Sequence, residues 1–181
     1  MRIVAGRWRG RKIDAPPGNS TRPTTDRVRE ALFSMLASRL GSFEGLRVAD
    51  LFAGSGALGL EALSRGAAHC TFVERDRAAS QILKANIAAL DAPAEILTRA
   101  AENLPAANRP YDLIFMDPPY GKGLAGTLLP QLRDRGWIAA GSWISIETER
   151  GAAIADTGLE LDTVKSFGKA QISLFRGQSV V

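Results

Sequence analysis

Short apolar runs alternate with helical segments from residue 46 onward, and this alternation constrains the fold more than any other feature of the chain. The runs that predict strands are 46–52, 70–74, 95–98, 113–116 and 143–147. Helices are predicted to begin near Ala57 and to span 77–90 and 124–134. Period-2 alternation on both sides of Gly168 predicts a closing hairpin. We therefore expect an α/β protein with a mostly parallel, doubly wound sheet, to which the hairpin adds an antiparallel strand at one edge.

The first 45 residues precede this alternation and carry much of the positive charge. Residues 1–24 predict a β-hairpin or extended arm, and 26–40 predict an amphipathic helix whose apolar stripe packs against the main domain. The cations of residues 1–30 are Arg2, Arg7, Arg9, Arg11, Lys12, Arg22, Arg27 and Arg29. Three carboxylates oppose them, and the whole chain has a net charge of +4. A local face rich in arginine favours a polyanionic partner, although charge alone also fits a solvated surface.

A glycine-rich turn joins the first predicted strand to the first predicted helix. Gly54 and Gly56 allow the backbone to turn tightly and to approach a ligand, and Gly59 allows close helix–strand packing. Glu74 lies 20 positions after Gly54, where a carboxylate can accept hydrogen bonds from ribose hydroxyls. The spacing also fits a dinucleotide-binding motif, but a carboxylate at Asp50 would repel a pyrophosphate. Because Asp50 suits a cationic amino group, the motif favours S-adenosylmethionine as the ligand.

The second informative motif is Asp117-Pro118-Pro119-Tyr120, which follows the apolar run 113–116. The Asp117 carboxylate can accept a hydrogen bond from an amino group. The two prolines fix the backbone and remove two N–H donors, which leaves the Pro118 carbonyl as a second acceptor. The Tyr120 ring can stack on a flat base. This combination suits an exocyclic amino group on a nucleobase, although Asp-Pro and Pro-Pro also form ordinary turns.

The length, hydropathy and cysteine content of the chain argue against several classes of protein. A chain of 181 residues is expected to form one domain, here with a short appendage. No apolar run approaches the roughly 18 residues that span a bilayer, and the N-terminus lacks the apolar region of a secretory signal. The single cysteine, Cys70, excludes an internal disulfide, and with its neighbour His69 it offers too few ligands for zinc. We therefore expect a cytoplasmic protein that uses neither a membrane nor a metal.

Together these motifs resemble class I methyltransferases, and more closely the RsmD family, which methylates N2 of a guanine in 16S ribosomal RNA. The stretches that carry the resemblance are 10–12, 22–33, 50–66, 73–76 and 117–120. The resemblance covers nearly the whole chain, and its most specific part is 22–33 joined to the glycine motif. It implies a Rossmann-like, mostly parallel seven-stranded sheet with an antiparallel C-terminal strand. It also implies S-adenosylmethionine as the methyl donor and 16S rRNA in an assembling small subunit as the substrate of a monomeric enzyme.

The resemblance further assigns roles to single residues. The implied catalytic residues are Asp117, Pro118 and Tyr120. The implied cofactor contacts are Asp50, Phe52, Gly54, Gly56, Glu74, Arg75, Ala100 and Asp117. The implied RNA contacts are Arg7, Arg9, Arg11, Lys12, Arg22 and Arg27. Residues 1–45 are thus an RNA-contacting basic extension, and residues 46–181 are the methyltransferase domain.

One position departs from the family pattern. After the third strand, relatives often place Asn or Asp near the adenine amino group of the donor, whereas residues 99–102 here read Arg-Ala-Ala-Glu. The adenine contact is therefore expected from backbone groups near Ala100 or from Glu102.

Other functions remain open from the sequence. A DNA adenine-N6 methyltransferase uses the same Asp-Pro-Pro-Tyr chemistry, but residues 1–45 leave little chain for a target-recognition insertion. A protein glutamine methyltransferase usually has Asn in place of Asp117, and an NAD-dependent dehydrogenase fits the glycines but not Asp50 or Asp117. A non-catalytic RNA-binding module would use the basic extension alone.

Overall fold

The computed structural model describes residues 1–17, 26–154 and 157–179, which form a seven-stranded sheet flanked by helices. The strands are β1 (Arg47–Leu51), β2 (His69–Val73), β3 (Ala94–Leu97), β4 (Leu113–Met116), β5 (Trp143–Glu149), β6 (Glu160–Phe167) and β7 (Ala170–Arg176). The helices are α1 (Asp26–Leu40), α2 (Ala57–Ser64), α3 (Arg77–Leu90) and α4 (Leu124–Asp134). A 3₁₀ turn, Ala101–Asn103, follows β3. The predicted elements are confirmed, with ends that differ by a few residues.

The order of the strands places a ligand crevice at the centre of the sheet. The order is β3-β2-β1-β4-β5-β7-β6, and the first five strands are parallel. Strand β7 runs antiparallel between β5 and β6, so the predicted hairpin is confirmed and β6 forms the edge. The chain order reverses between β1 and β4. Open α/β sheets bind ligands at such a switch point, beside the carboxyl ends of the strands.

The central strands read as continuous apolar runs because helices cover both of their faces. All four residues of β4 are buried, as are the last four of β1. One core cluster packs α1, α2 and α3 on the sheet around Phe33 and Phe72, and a second packs α4 around Leu128 and Trp137. A glycine is required at position 59 because a side chain there would meet the Cys70 sulfur at 2.6 Å. The predicted role of Gly59 in close packing is confirmed.

The basic extension packs into the first of these clusters. Ile3 and Ile13 are buried in it, and an isolated antiparallel bridge joins Arg2 to Lys12. The extension therefore begins as an irregular hairpin, as expected for an arm. Helix α1 buries Leu32, Phe33 and Leu36 in the same cluster, which confirms that its apolar stripe faces the main domain.

A buried carboxylate attaches the extension to the sheet domain. Glu61 of α2 accepts hydrogen bonds from the backbone N–H groups of Val4 (2.8 Å) and Ala5 (2.9 Å). Glu61 also forms ion pairs with two arginines. Arg29 Nε lies 3.6 Å from Glu61 Oε2, and Arg65 Nε lies 3.0 Å from Glu61 Oε1. Glu61 and Arg29 are both fully buried, so each compensates the charge of the other.

Arg29, one of the eight cations of residues 1–30, therefore does not contribute to a basic surface. The Arg29 guanidinium donates to the Asp26 carboxylate at 2.9 Å and to the carbonyl of Arg2, and it is fully buried. A buried arginine needs such partners, because an uncompensated charge in the interior is very unfavourable. Arg29 serves to hold the extension in place.

Cys70 and His69 lie at the start of β2. The Cys70 thiol is buried, and burial raises its pKa. The His69 Nε2 atom lies 3.7 Å from Glu95 Oε1. Within residues 1–17, 26–154 and 157–179, no group of three or more His, Cys, Asp or Glu side chains is arranged to hold a metal ion. The helices of these segments include none with the length and apolar character needed to cross a membrane.

Candidate active site

A pocket of about 770 Å³ opens at the carboxyl ends of β1, β2, β3 and β4. This volume lies in the range typical of small-molecule sites. The sequence-predicted residues that line it are Asp50, Phe52, Gly54, Glu74, Arg75, Ala100, Glu102, Asp117 and Tyr120. The structure therefore brings the predicted donor site and the predicted acceptor site into one cavity.

The glycine turn after β1 holds the Glu74 carboxylate in position. The backbone N–H of Gly54 donates to Glu74 Oε2 at 2.8 Å, and the N–H of Asp76 donates to Glu74 Oε1 at 2.8 Å. Asp76 in turn caps α3 by accepting from Ala79 N at 2.7 Å. Because both of its oxygens are held by backbone donors, Glu74 presents a fixed acceptor to the pocket.

Asp50 lies at the base of the pocket, at the end of β1. Its side chain is almost fully buried, and Oδ2 accepts a hydrogen bond from Gly59 N at 2.9 Å. Burial, together with the nearby charges of Asp117 and Glu74, raises the pKa of Asp50 from 3.8 to about 8 despite that hydrogen bond. The unfolded chain ionises this group at lower pH, so the group makes folding less favourable as pH rises between about 4 and about 8. A bound cation would favour the ionised form.

The backbone between Asp50 and Gly54 is strained. Phe52 has φ 65, a left-handed conformation that a bulky residue rarely adopts. Such strain is of the order of 1 to 3 kcal/mol and is concentrated at functional sites. The strained turn places Phe52 on the pocket wall next to Gly54, where it can contact a ligand.

The loop after β4 forms the other wall of the pocket. Asp117, Pro119 and Tyr120 line the cavity, whereas Pro118 is buried and is not among the lining residues. Gly56, a predicted cofactor contact, also lies behind the lining, where an added side chain would collide with Leu83. Gly56 has φ 84 and precedes α2, so the geometry gives it the role of shaping the turn.

Part of the pocket wall was not anticipated from the sequence. Met1, Ala15 and Pro16, at the two ends of the irregular hairpin, line the cavity together with the buried Arg29. Local patterns give no signal for these positions, because the contacts join segments far apart in the chain. The extension therefore helps to build the pocket.

The predicted RNA contacts of the extension lie on the surface. Arg7, Arg9, Arg11, Lys12 and Arg27 are exposed, and Arg22 lies outside the described residues. The Arg7 guanidinium stacks on Trp8 at 4.1 Å from the ring centroid, and Arg11 donates to the carbonyl of Ala89 at 2.7 Å. The N–H of Arg7 donates to the carbonyl of Ser64, the last residue of α2. The tip of the hairpin thus lies about 12 Å from the pocket end of α2.

Comparison with known proteins identifies the family. The family model described as "Conserved hypothetical protein 95" matches residues 1–176. The chain belongs to this family. The ribosomal RNA small subunit methyltransferase D of Escherichia coli (strain K12) is 40% identical over 183 residues, which cover 99% of this chain and 91% of that protein. These findings confirm the predicted relationship to the RsmD family.

Solved structures confirm the predicted class I fold. The yhhF protein of Escherichia coli superposes with a TM-score of 0.88 at 41% identity and covers 99% of both chains. The 16S rRNA N2 G1207 methyltransferase RsmC of Thermus thermophilus, solved with AdoMet and guanosine, has a TM-score of 0.69 over 90% of this chain and 45% of its own. At 20% identity, RsmC supports the common fold alone. The family match includes the basic extension, in agreement with its place in the core.

Proposed function

We propose that this protein transfers a methyl group from S-adenosylmethionine to the N2 amino group of a guanine in 16S rRNA, within the assembling small ribosomal subunit. The proposal rests on one observation. The acidic residues suited to the methyl donor and the Asp117-Pro-Pro-Tyr120 loop lie in one cavity. The name of the Escherichia coli relative supports rRNA of the small subunit as the substrate. RsmC was solved with AdoMet and guanosine, so a protein of this fold can hold a methyl donor together with a guanine nucleoside.

The charges of the pocket fit this donor. Asp50, Glu74 and Asp117 approach closely enough that the charges of the other two raise the pKa of Asp50. Such a group of carboxylates favours a cation and would repel the pyrophosphate of a dinucleotide. S-adenosylmethionine carries an ammonium, a sulfonium and a ribose, but no phosphate. Asp50 would hold the ammonium, and Glu74, fixed by Gly54 and Asp76, would accept from the ribose hydroxyls.

The β4 loop fits a flat base with an amino group. The Asp117 carboxylate would accept an N2–H hydrogen bond, and Tyr120 would stack on the base after it has turned out of its RNA stack. Pro118 is buried and does not line the cavity, so it would support the loop that presents Asp117 and Tyr120 to the base. These contacts would direct the nitrogen lone pair towards the donor.

The chemistry needs charge stabilisation and alignment. Bound S-adenosylmethionine would supply an electrophilic methyl carbon: the N2–C bond would form as the C–S bond breaks, S-adenosylhomocysteine would leave, and the N2 proton would pass to Asp117 or to water. Positive charge develops on N2 during this step, and the neighbouring Asp117 carboxylate stabilises it. The fixed positions of the Asp117 loop and the Glu74 turn supply the alignment, which contributes a large part of the acceleration in such reactions.

The affinity for S-adenosylmethionine is expected to depend on pH through Asp50. Asp50 is protonated below about pH 8 in the free protein and must ionise to hold an ammonium. Affinity should therefore rise about tenfold per pH unit up to about pH 7, level off near pH 8, and fall above this as the donor's α-amino group, with a pKa of about 8, loses its charge. Calorimetry in buffers of different ionisation enthalpy should detect nearly one proton released at pH 7.

Asp50→Asn is the matched control for this prediction, since the amide keeps the shape but not the titration. The variant should bind weakly, without the rise between pH 6 and 8. S-adenosylhomocysteine, which keeps the ammonium but lacks the sulfonium charge, should show the same pH dependence in the native protein. A pH-independent affinity without proton release would contradict the placement of Asp50 at the ammonium.

The basic extension is expected to control RNA affinity. Replacing Arg7, Arg9 and Arg11 by alanine should weaken binding of 16S rRNA and reduce the slope of log K against log salt by about 2 to 3, because each phosphate contact adds 0.7 to 0.9. Arg109 and Arg133, two exposed cations outside the extension, provide the control pair. An unchanged slope in the triple variant would mean that the extension is merely solvated.

The function is tested by methyl transfer from radiolabelled S-adenosylmethionine. Small-subunit particles without their native methylations, naked 16S rRNA and duplex DNA are compared in parallel. We expect label in RNA, and the ratio of particle to naked RNA then shows the stage of assembly at which the enzyme acts. Label in DNA alone would favour the adenine-N6 reaction, and no label despite measured donor binding would mean that the substrate is wrong.

A further inference from the structure

One lysine in the pocket is placed to recognise the target base. Among the residues that the structure describes, four cationic side chains line the cavity: Arg29, Arg75, Arg99 and Lys122. Arg29 is committed to Asp26 and Glu61, which leaves three cations to meet a ligand. The position of each in the sheet decides which part of the ligand it can reach.

Two of these three cations belong to the donor side of the pocket. Arg75 follows β2 and Arg99 follows β3, which are two and three strands away from β4. At a strand spacing of about 4.8 Å, they begin roughly 10 and 14 Å from the end of β4. Lys122 instead lies on the β4 loop itself, five positions after Asp117. Of these three cations, Lys122 is the one carried by the same loop as Asp117 and Tyr120.

The local backbone gives the Lys122 side chain room to reach into the cavity. Gly121 (φ 75) and Gly123 (φ 59) flank it in left-handed conformations. A methyl group at either glycine would meet no atom of the described residues within 4 Å. Lys122 is exposed, yet it lines the pocket. Asp117 and the start of α4 at Leu124 fix the two ends of this short segment.

Recognition of guanine at position 6 requires a hydrogen-bond donor that faces the O6 atom. Guanine presents its N2 amino group and N1–H as donors and O6 as an acceptor, whereas adenine presents an amino group in place of O6. A carboxylate such as Asp117 can only accept, and a lysine ammonium can only donate. Lysine commonly donates to O6 and N7 of guanine, and an amino group at position 6 would repel it.

We propose that Lys122 donates a hydrogen bond to O6 of the target base and so selects a 2-aminopurine that carries oxygen at position 6 over one that carries an amino group there. This inference rests on the proposed function, because it assumes a base whose N2 faces Asp117. It makes Lys122 a residue that determines specificity, paired with Asp117 across the same base edge. A contact between Lys122 and an RNA phosphate is the competing role, and it would be independent of the base.

The test combines a change of one chemical group on the target base with a change of one side chain, Lys122, on the protein. The guanine labelled by the native enzyme is mapped first, and 16S rRNA is then assembled by ligation with guanine or 2,6-diaminopurine at that position. Diaminopurine keeps the 2-amino group but carries an amino group in place of O6. Its missing N1–H affects native enzyme and variants alike, so the ratio of kcat/KM values for the two bases isolates position 6.

In Lys122→Met, kcat/KM on guanine should fall by about tenfold to a hundredfold while the value on diaminopurine stays unchanged, so that discrimination collapses. Lys122→Arg, which keeps a donor, should retain the preference for guanine. Arg99→Met, a matched change of a pocket cation on the donor side, should leave the ratio of the two bases unaltered. Native donor affinity in Lys122→Met shows that the variant is folded.

Equal losses on both bases in Lys122→Met would assign Lys122 to a phosphate and overturn the proposal, as would no loss on either base. Failure of the proposed function would be seen separately, since the native enzyme would then form no N2-methylguanosine on the guanine RNA.

Discussion

Asp117→Ala is expected to lower kcat for RNA methylation by about 10²- to 10⁴-fold, the range found when a group that accepts a proton or stabilises developing charge is removed. Affinity for S-adenosylmethionine should be retained, because Asp50 and the Glu74 turn remain. Asp117 lies at the end of β4, where the buried residues Leu113–Met116 fix the start of the loop, so the change should leave the fold intact. Single-turnover kinetics and calorimetry measure the two quantities.

Asp117→Asn separates the charge of this residue from its size. The amide occupies the same volume and keeps one acceptor oxygen, but it cannot stabilise a positive charge as a carboxylate does. A loss close to that of the alanine variant would assign the effect to charge. Unchanged turnover with unchanged donor affinity in Asp117→Ala would remove Asp117 from the reaction.

The second large effect is expected from replacing Glu61, which should lower the stability of the protein. Glu61→Ala leaves the Arg29 charge without its buried carboxylate and removes the acceptor of two backbone N–H groups of the extension. Removal of one partner from a buried ion pair typically lowers the free energy of unfolding by about 3 to 5 kcal/mol. Denaturant unfolding should therefore show a much lower midpoint. The extension should become accessible to proteases in the same variant.

Asp134→Ala is the matched control, because the Asp134 side chain is 73% exposed and pairs with Arg133 at 3.7 Å. Surface changes of this kind usually alter the free energy of unfolding by less than about 0.5 kcal/mol. A Glu61→Ala protein as stable as this control would contradict the role of Glu61 as the anchor of the extension. Because the extension also lines the pocket, the Glu61 variant should bind the donor more weakly as well.

The sheet could be predicted from the sequence because its signals are local. Apolar runs such as Leu113–Met116 are buried on both faces, and Gly54 and Gly56 mark a turn with a left-handed backbone that other residues rarely adopt. The carboxylates of the pocket follow directly from these strand ends. Their positions could therefore be anticipated without any knowledge of long-range contacts.

The attachment of the extension could not be predicted in this way. Glu61 contacts Val4 across 57 positions, and a glutamate inside an apolar helix gives no indication of its partner. For the same reason the sequence does not indicate that Arg29 is buried or that Met1 and Pro16 line the pocket. Gly56 and Pro118 belong to the predicted motifs, but packing places both behind the lining residues, where they shape the wall.

The most direct test of the central claim is the identity of the methylated nucleoside. 16S rRNA treated with the protein and S-adenosylmethionine is digested to nucleosides and analysed by mass spectrometry, with Asp117→Ala treated in parallel. N2-methylguanosine is expected with the native protein and almost none with the variant. N6-methyladenosine, or methylation that persists at the native level in Asp117→Ala, would contradict that claim.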